Sequence, residues 1–516
     1  PGVVTGEVLD YIRYPSEPLN TENYAHYDNN PVKRVIEQPV STFSIDVDTG
    51  AYSNLRRFLR SGTLPRQDAV RVEEMINYFD YGYAPPKTRD RPFSVHTEIA
   101  PTPWNPKTHL LRIGLQGWKP TGSSTPANLV FLVDVSGSMA SEDKLPLVKS
   151  SLKLLVNELG PRDSIALAVY AGASGVVLEP TPGNQKAKIL AALDRLEAGG
   201  STNGADGIKL AYAMAERARR SHGINRVLLA TDGDFNVGIV DFEQLKDLVE
   251  EKRKSGVALS TLGFGTGNYN DHLMEQLADA GNGNYTYVDG LSEARRALVQ
   301  MRAATLQTIA RDVKVQVEFN PAAVAEYRLI GYENRALKRE DFNNDAIDAG
   351  EIGAGHSVTA LYEIALRGSG GERIEALRYD APSANAGGKV FPMTPAPPGE
   401  GKIDGSDELA FLRLRYKAPD ADTSKLIEQA ITRADLAPSL DRASNALRFA
   451  AAVSAFGQIL RGGRYTEGYG YEDVLKLARA ARGDDAHGWK GEFVQLVELA
   501  RGLGTQANVD PPEIGD

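Results

Sequence analysis

The chain has 516 residues, 42% of them hydrophobic and 24% charged, a balance that excludes disordered, collagen-like and disulfide-scaffold classes and asks for two to four domains. Its 58 Lys and Arg face 68 Asp and Glu for a formal charge of -10, the wrong sign for a protein that works by neutralising phosphates, so no nucleic-acid partner is expected. The absence of cysteine rules out disulfides, thiolate nucleophiles and zinc–thiolate sites while leaving the compartment open.

Residues 1–40 are polar, hold Tyr11, Tyr14, Tyr24 and Tyr27, and show no sustained period, which predicts an extended arm whose tyrosines pin it to its own β-sandwich. The start, Pro1-Gly2-Val3-Val4, has neither region of a signal peptide, and a chain without an initiator Met is consistent with an export signal or lipid anchor removed before the numbering begins. Thr42–Asp48 alternates as a strand. Tyr52–Leu59 and Val70–Phe79 carry helical spacing, and Phe93–Ile99 and His109–Leu115 alternate again. Residues 41–123 are therefore a strand and two short helices leading into the first part of a β-sandwich.

After the linker Thr121–Pro126 the texture becomes continuous apolar strands alternating with amphipathic helices. Strands are predicted at Leu129–Val133, Ser164–Tyr170, Gly175–Leu178, Arg226–Ala230, Ala258–Phe264 and Asn284–Val288, with helices between them. Such runs belong to buried parallel strands, so residues 124–307 predict an α/β doubly wound, Rossmann-like unit. From Ile309 alternation returns at Asp312–Phe319, Tyr327–Ile330, Ser357–Ala365, Glu375–Tyr379 and Leu409–Tyr416. Neither flank has enough strands for a sandwich alone, so the α/β unit is expected to be inserted into one β-sandwich, whose second part is 308–420. From Ser424 onward helical spacing at Leu426, Ile427 and Ile431, and again after Leu447, predicts a C-terminal helical region over 421–516.

The first α/β strand ends Asp134-Val-Ser136-Gly-Ser138, where an open parallel sheet exposes its ligand crevice. One carboxylate and two hydroxyls on alternate residues of a loop suit a hard cation, magnesium, manganese or calcium. Ser201-Thr202-Asn203-Gly204 precedes a helix, and Ala230-Thr231-Asp232-Gly233 ends a later strand, so Thr202 and Asp232 are expected at the same sheet edge. A lone Asp-x-Ser-x-Ser is as readily a strand-end turn. The five residues Asp134, Ser136, Ser138, Thr202 and Asp232, in this order and these contexts, resemble the metal-ion-dependent adhesion site (MIDAS) of the von Willebrand factor A domain, also found in integrins. In that family Ser136, Ser138 and Thr202 would contact the metal directly, and Asp134 and Asp232 through water. The flanks Ser44–Asn54, Val72–Phe79 and Asp341–Glu351 are similar to those of bacterial YfbK-type von Willebrand factor A proteins, described as envelope lipoproteins.

That resemblance implies a periplasmic or surface lipoprotein of the cell envelope, with a metal-dependent protein-binding (adhesion-type) task. Hydroxyl ligands leave the ion electrophilic, so the expected partner is a protein that offers Asp or Glu to the metal. Membrane anchoring would go through a lipid signal absent from this sequence. A scaffold or assembly factor of an envelope complex and a metal-dependent hydrolase are the alternatives. No catalytic residue and no organic cofactor is expected, since phosphate-loop, Gly-x-Ser-x-Gly and His-Glu-x-x-His patterns are missing. Asp341, Asn343, Asp345 and Asp348 have the opening spacing of a calcium loop, but Ala346 replaces its turn glycine and an Asx-rich turn is the competing reading. Asp46, Asp48 and Asp234 read as solvated strand-end carboxylates, and Arg482-Gly483-Asp484 as a chance tripeptide.

Overall fold

Eight consecutive buried residues, Ala127–Asp134, form a central strand of a six-stranded sheet. The computed structural model describes residues 22–45, 47–88, 90–120, 125–200, 204–233, 242–267, 269–347, 349–375, 407–419 and 421–506. They fall into two units, one built from the described residues up to His26 with Asp48–Ser61 and Pro120–Thr308, the other from Tyr27–Val47, Gly62–Lys119 and the described residues from Ile309 onward.

In the first unit the strand order is Tyr285–Tyr287, Ala258–Gly263, Ile224–Thr231, Ala127–Asp134, Ser164–Tyr170, Ser174–Pro182. The first five are parallel and the last is antiparallel. Because strand side chains alternate, Leu129, Phe131 and Val133 enter one core with helices Leu145–Glu158 and Lys186–Asp194. Val130 and Leu132 enter another with Gly204–Arg217 and Phe242–Arg253. Helices thus cover both faces, the doubly wound arrangement of a von Willebrand factor A domain. Each fully buried Leu or Phe contributes about 2 kcal/mol, so continuous apolar runs are what such a strand requires. The last strand departs from the all-parallel expectation. Only residues 171–173 separate it from its neighbour, too few for a parallel crossover, so it returns as a hairpin.

Helix Gly50–Arg60 belongs to this unit and covers the edge strand Tyr285–Tyr287. Asp48 Oδ1 accepts from Tyr285 N at 2.8 Å, and Ser53 Oγ donates to Tyr287 O at 2.7 Å. A Cβ on Gly50 would lie 2.2 Å from the Tyr285 ring, so the close approach needs glycine. The arm divides: Tyr24 packs on this helix, against expectation, whereas the chain from Tyr27 onward belongs to the sandwich unit, as expected. The Tyr24 hydroxyl accepts from Asn54 Nδ2 at 2.8 Å, while Glu22 pairs with Arg57 at 2.9 Å. Tyr11 and Tyr14 lie outside the described residues.

The second unit is a β-sandwich. One sheet runs Lys33–Arg34, Val324–Ile330, Ser357–Leu366, His109–Gly117, Phe93–Pro101; the other runs Gly350–Gly353, Thr308–Phe319, Glu408–Lys417, Ser424–Thr432, with Val40–Ser44 also paired to Thr308–Phe319. Strands from before and after the α/β unit are direct neighbours, as in the register Ile113↔Ala360 and Val315↔Phe43, so the α/β unit is an insertion. The sheets share a core in which Phe319 stacks on Tyr327 at 4.3 Å between centroids. Helices Asn445–Leu460, Tyr471–Ala481 and Trp489–Gln506 follow, locked by Phe449, Phe456, Phe493 and Phe79 with ring centroids 5.1–5.7 Å apart.

Ser424–Thr432 corrects the helical reading of residues 424–432, since it pairs antiparallel with Glu408–Lys417 along its length. Ile427 and Ile431 are four apart, a spacing that satisfies both periods, and an edge strand half open to solvent shows little alternation. Most of the predicted strand Glu375–Tyr379 lies outside the described residues. Among the described residues no helix is long and apolar enough to cross a membrane.

Candidate metal centre

Asp134 ends the central strand and is wholly buried. Its Oδ1 accepts from the backbone N of Ser136 at 2.9 Å, the turn that lets the loop double back. Its Oδ2 accepts from Tyr170 Oη at 3.2 Å and from Thr231 Oγ1 at 2.9 Å, donors on the two neighbouring strands. All these donors are neutral. Burial pushes the Asp134 carboxyl above the usual range, and nearby Asp232 adds to the shift, whereas the Ser136 and Thr231 hydrogen bonds oppose it.

Ser136 and Ser138 bring their hydroxyls 3.1 Å apart on the same loop. Asp232, also fully buried, receives Lys144 Nζ on Oδ2 at 2.9 Å. Lys144 stands just before helix Leu145–Glu158 and its stem lies against Gly265. There a Cβ would come 2.4 Å from Lys144 Cε and φ is +82°, so glycine at 265 is what gives the lysine its channel.

The third loop reaches the first through its backbone: Gly199 N donates to Val135 O at 2.7 Å and Gly137 N to Gly200 O at 3.0 Å. Helix Gly204–Arg217 follows directly. Thr202 itself, like Asp46 and Asp234, lies outside the described residues. Of the five residues singled out in the sequence, Asp134, Ser136, Ser138 and Asp232 are described, at or just beyond the ends of neighbouring strands at one edge of the sheet.

The donor set fits a hard divalent cation. Two buried carboxylates and two hydroxyls are hard oxygens, and among the described residues Asp134 has only neutral hydrogen-bond partners, so its charge calls for a cation. Asp232 already carries one, the Lys144 ammonium. Among the described residues no group of three or more His, Asp or Glu could hold a metal, as expected where hydroxyls supply half the ligands. Sequence reasoning missed Lys144, Tyr170 and Thr231. Only Thr231 had a signal, its place directly before Asp232.

The calcium-like loop resolves differently. Asp341 Oδ2 accepts from Lys338 N at 3.1 Å, while Arg415 donates to Asn343 Oδ1 at 3.3 Å and to Asp345 Oδ1 at 3.1 Å. Ser424 also donates to Asp345, and together with Arg415 holds its carboxyl below the usual range. An arginine therefore occupies these oxygens; Asp348 lies outside the described residues. Asp48 is buried and caps the Tyr285 backbone, not solvated as expected.

Residues 128–300 match the family described as von Willebrand factor type A domain, residues 18–112 the one described as von Willebrand factor, and residues 304–503 the one described as uncharacterized protein YfbK, C-terminal. The protein YfbK of Escherichia coli strain K12 is 46% identical over 490 residues, 94% of this chain and 82% of that protein. Human inter-alpha-trypsin inhibitor heavy chain H3 is 31% identical over 163 residues, 30% of this chain and 18% of that protein. Among solved structures, a von Willebrand factor type A protein from Catenulispora acidiphila aligns over 78% of this chain and 89% of its own, with 14% identity and a TM-score of 0.41.

Proposed function

Because the chain belongs to the YfbK family of proteins carrying a von Willebrand factor A domain, generally a non-catalytic protein-interaction module, we propose that its α/β unit is a metal-dependent binding module of the bacterial cell envelope. Asp134, Ser136, Ser138, Thr202 and Asp232 would hold a magnesium ion, or manganese or calcium in its place. The single observation that carries this reading is Asp134, a wholly buried carboxylate with neutral partners beside two converging hydroxyls.

A bound divalent ion would supply an electrophilic position that an anionic oxygen fills better than water. The chain's own residues do the rest. Tyr170 and Thr231 fix the Asp134 carboxylate, and the Asp134–Ser136 turn aims both serine hydroxyls the same way. Lys144 neutralises Asp232 and keeps the loops together whatever the metal content of the site. The matching ligand is an exposed Asp or Glu of a partner protein. In line with the family resemblance, the proposed location is the envelope, with the protein held as a periplasmic or surface lipoprotein.

The test is capture of partners from envelope extract on the immobilised chain in magnesium. Capture should be reversed by chelator, abolished by carbodiimide amidation of the extract's carboxylates, and weakened in Thr202→Ala by about 1 to 3 kcal/mol, the usual scale of coupling between linked sites. Capture that survives chelator and amidation alike would overturn the reading, and capture that becomes permanent once formed would favour the scaffold role.

A further inference from the structure

At one side of the sandwich each sheet ends in a strand whose outer edge is left largely unpaired among the described residues. Phe93–Pro101 pairs with His109–Gly117 and, at Ile99, is bridged to Leu436, while Ser424–Thr432 pairs with Glu408–Lys417. Between the two edges, under the segment Ala84–Thr88, lies a cleft of about 980 Å³. Its apolar lining includes Phe93, Val95, Tyr416, Leu426 and Ile427. Leu426 is 51% exposed, unusual for a large apolar side chain on a strand edge, where exposed hydrophobics invite pairing.

The backbone of the first edge is open over Phe93–Thr97 and closed at Ile99. Ile99 O faces outward, since it accepts from Ala437 N at 2.7 Å, and Pro92 O faces inward to Trp118 N. By strand alternation the N–H and C=O groups of Val95 and Thr97 face outward with those of Ile99. Among the described residues no second strand pairs with Val95 or Thr97, whereas Ile99 is already bridged to Leu436. The Thr97 side chain is tied across to Gln429 at 3.1 Å, which holds the two edges at a fixed separation.

The charge in the cleft runs against that of the chain. Lys87, Arg91 and Lys425 line it and are exposed, and none forms an ion pair among the described residues. The lining carboxylate Glu428 is already paired with Arg413 at 3.4 Å. A protein of net charge -10 thus presents three uncompensated cations around an apolar strand edge.

We propose that this cleft binds an extended acidic peptide segment of another protein by strand addition to the open stretch Phe93–Thr97, its alternate apolar side chains packing on Val95 and Leu426 and its carboxylates meeting Lys87, Arg91 and Lys425. Main-chain hydrogen bonds supply affinity in such a mode, and alternate side-chain pockets and charges supply selection. A second copy of this chain is disfavoured at the same edge, because two identical basic rims would face each other. The site is separate in composition from the metal centre and does not depend on it.

The experiment uses the full chain in chelator and three labelled peptides of alternating sequence, (Glu-Val)5, (Lys-Val)5 and (Glu-Pro)5, read by fluorescence anisotropy. Binding of (Glu-Val)5, weakened about tenfold in Lys87→Glu/Lys425→Glu and reduced by added salt, is expected, as for charges at an interface rim. (Lys-Val)5 should not bind, and (Glu-Pro)5, which loses the backbone N–H and the β-branched side chain at every second residue, should bind at least about tenfold more weakly. If charge reversal disturbs folding, Lys87→Gln/Lys425→Gln should show the same direction by a smaller factor. Equal binding of (Glu-Val)5 and (Lys-Val)5, equal binding of (Glu-Pro)5, no effect of either double variant, or displacement of the peptide by oligo-dT would each overturn the proposal.

Discussion

Two loops in this chain look alike on paper. Asp134-x-Ser136-x-Ser138 and Asp341-x-Asn343-x-Asp345 both place oxygen side chains on alternate residues, and both suggest a cation. In the structure the second is satisfied by the chain itself, since the Arg415 guanidinium lies on Asn343 and Asp345 at a half-exposed surface. The first is buried and short of positive charge. Among the described residues Asp134 has neutral donors, and the cation that reaches the site, Lys144, sits on Asp232. Spacing therefore nominates a cation loop, but burial and the supply of internal cations decide whether an external ion is wanted.

That contrast can be broken most forcefully at Lys144. Lys144→Met leaves Asp232 buried without its ammonium and should cost about 3 kcal/mol of stability in chelator, the scale for breaking a buried pair from one side. Magnesium should restore most of this loss, so the urea midpoint of the variant should depend on metal far more than that of the parent. A variant whose stability is indifferent to magnesium would mean that the ion does not replace the lysine's charge. Thr231→Val comes next. It removes one hydrogen bond from a buried carboxylate and should cost about 1 to 2 kcal/mol by urea denaturation, with weaker metal binding by calorimetry. Asp345→Asn, at a pair whose aspartate side chain is 40% exposed, should cost about 0.5 kcal/mol or less and leave metal binding unchanged.

The two loops should also respond to pH with opposite signs. Asp134 has its folded pKa raised, so in chelator its ionisation weakens the fold at neutral pH, and the penalty is relieved as pH falls through the raised value toward the ordinary carboxylate range. Asp345 has its folded pKa lowered, mainly by Ser424, so its small contribution is present above the ordinary carboxylate value and lost as pH falls through the lowered one. Comparing Asp134→Asn and Asp345→Asn with the parent across pH 3 to 7 would read both signs. Parallel profiles would show that the loops are electrostatically equivalent after all.

Much of this was legible in residues. The apolar run Leu129–Val133 announces a strand covered on both faces, and the change of texture near Gly122 and Thr308 announces the insertion, because buried parallel and half-exposed antiparallel strands bury different faces. That Asp134, Ser136, Ser138 and Asp232 lie at one edge of the sheet was readable from their places at the ends of two strands, although an Asp-x-Ser-x-Ser alone is as readily a strand-end turn. What stayed hidden depends on distant pairing. Ser424–Thr432 owes its strand to Glu408–Lys417 rather than to its own alternation. Tyr24 finds Asn54 and Glu22 finds Arg57 only once helix Gly50–Arg60 has docked on Tyr285–Tyr287. Lys144 reaches Asp232 across 88 positions of chain, and only through the space left at Gly265. No local pattern encodes such a meeting.

Manganese binding followed by electron paramagnetic resonance on the full chain tests the central claim most directly, because free and bound ion are counted in the same sample. One ion per chain is expected in the parent, one in Asp341→Ala/Asp345→Ala, and none at comparable concentration in Asp134→Ala/Asp232→Ala. Equal binding by the parent and the Asp134/Asp232 variant, or loss of the ion in the Asp341/Asp345 variant, would contradict the assignment of the cation to the edge of the buried sheet.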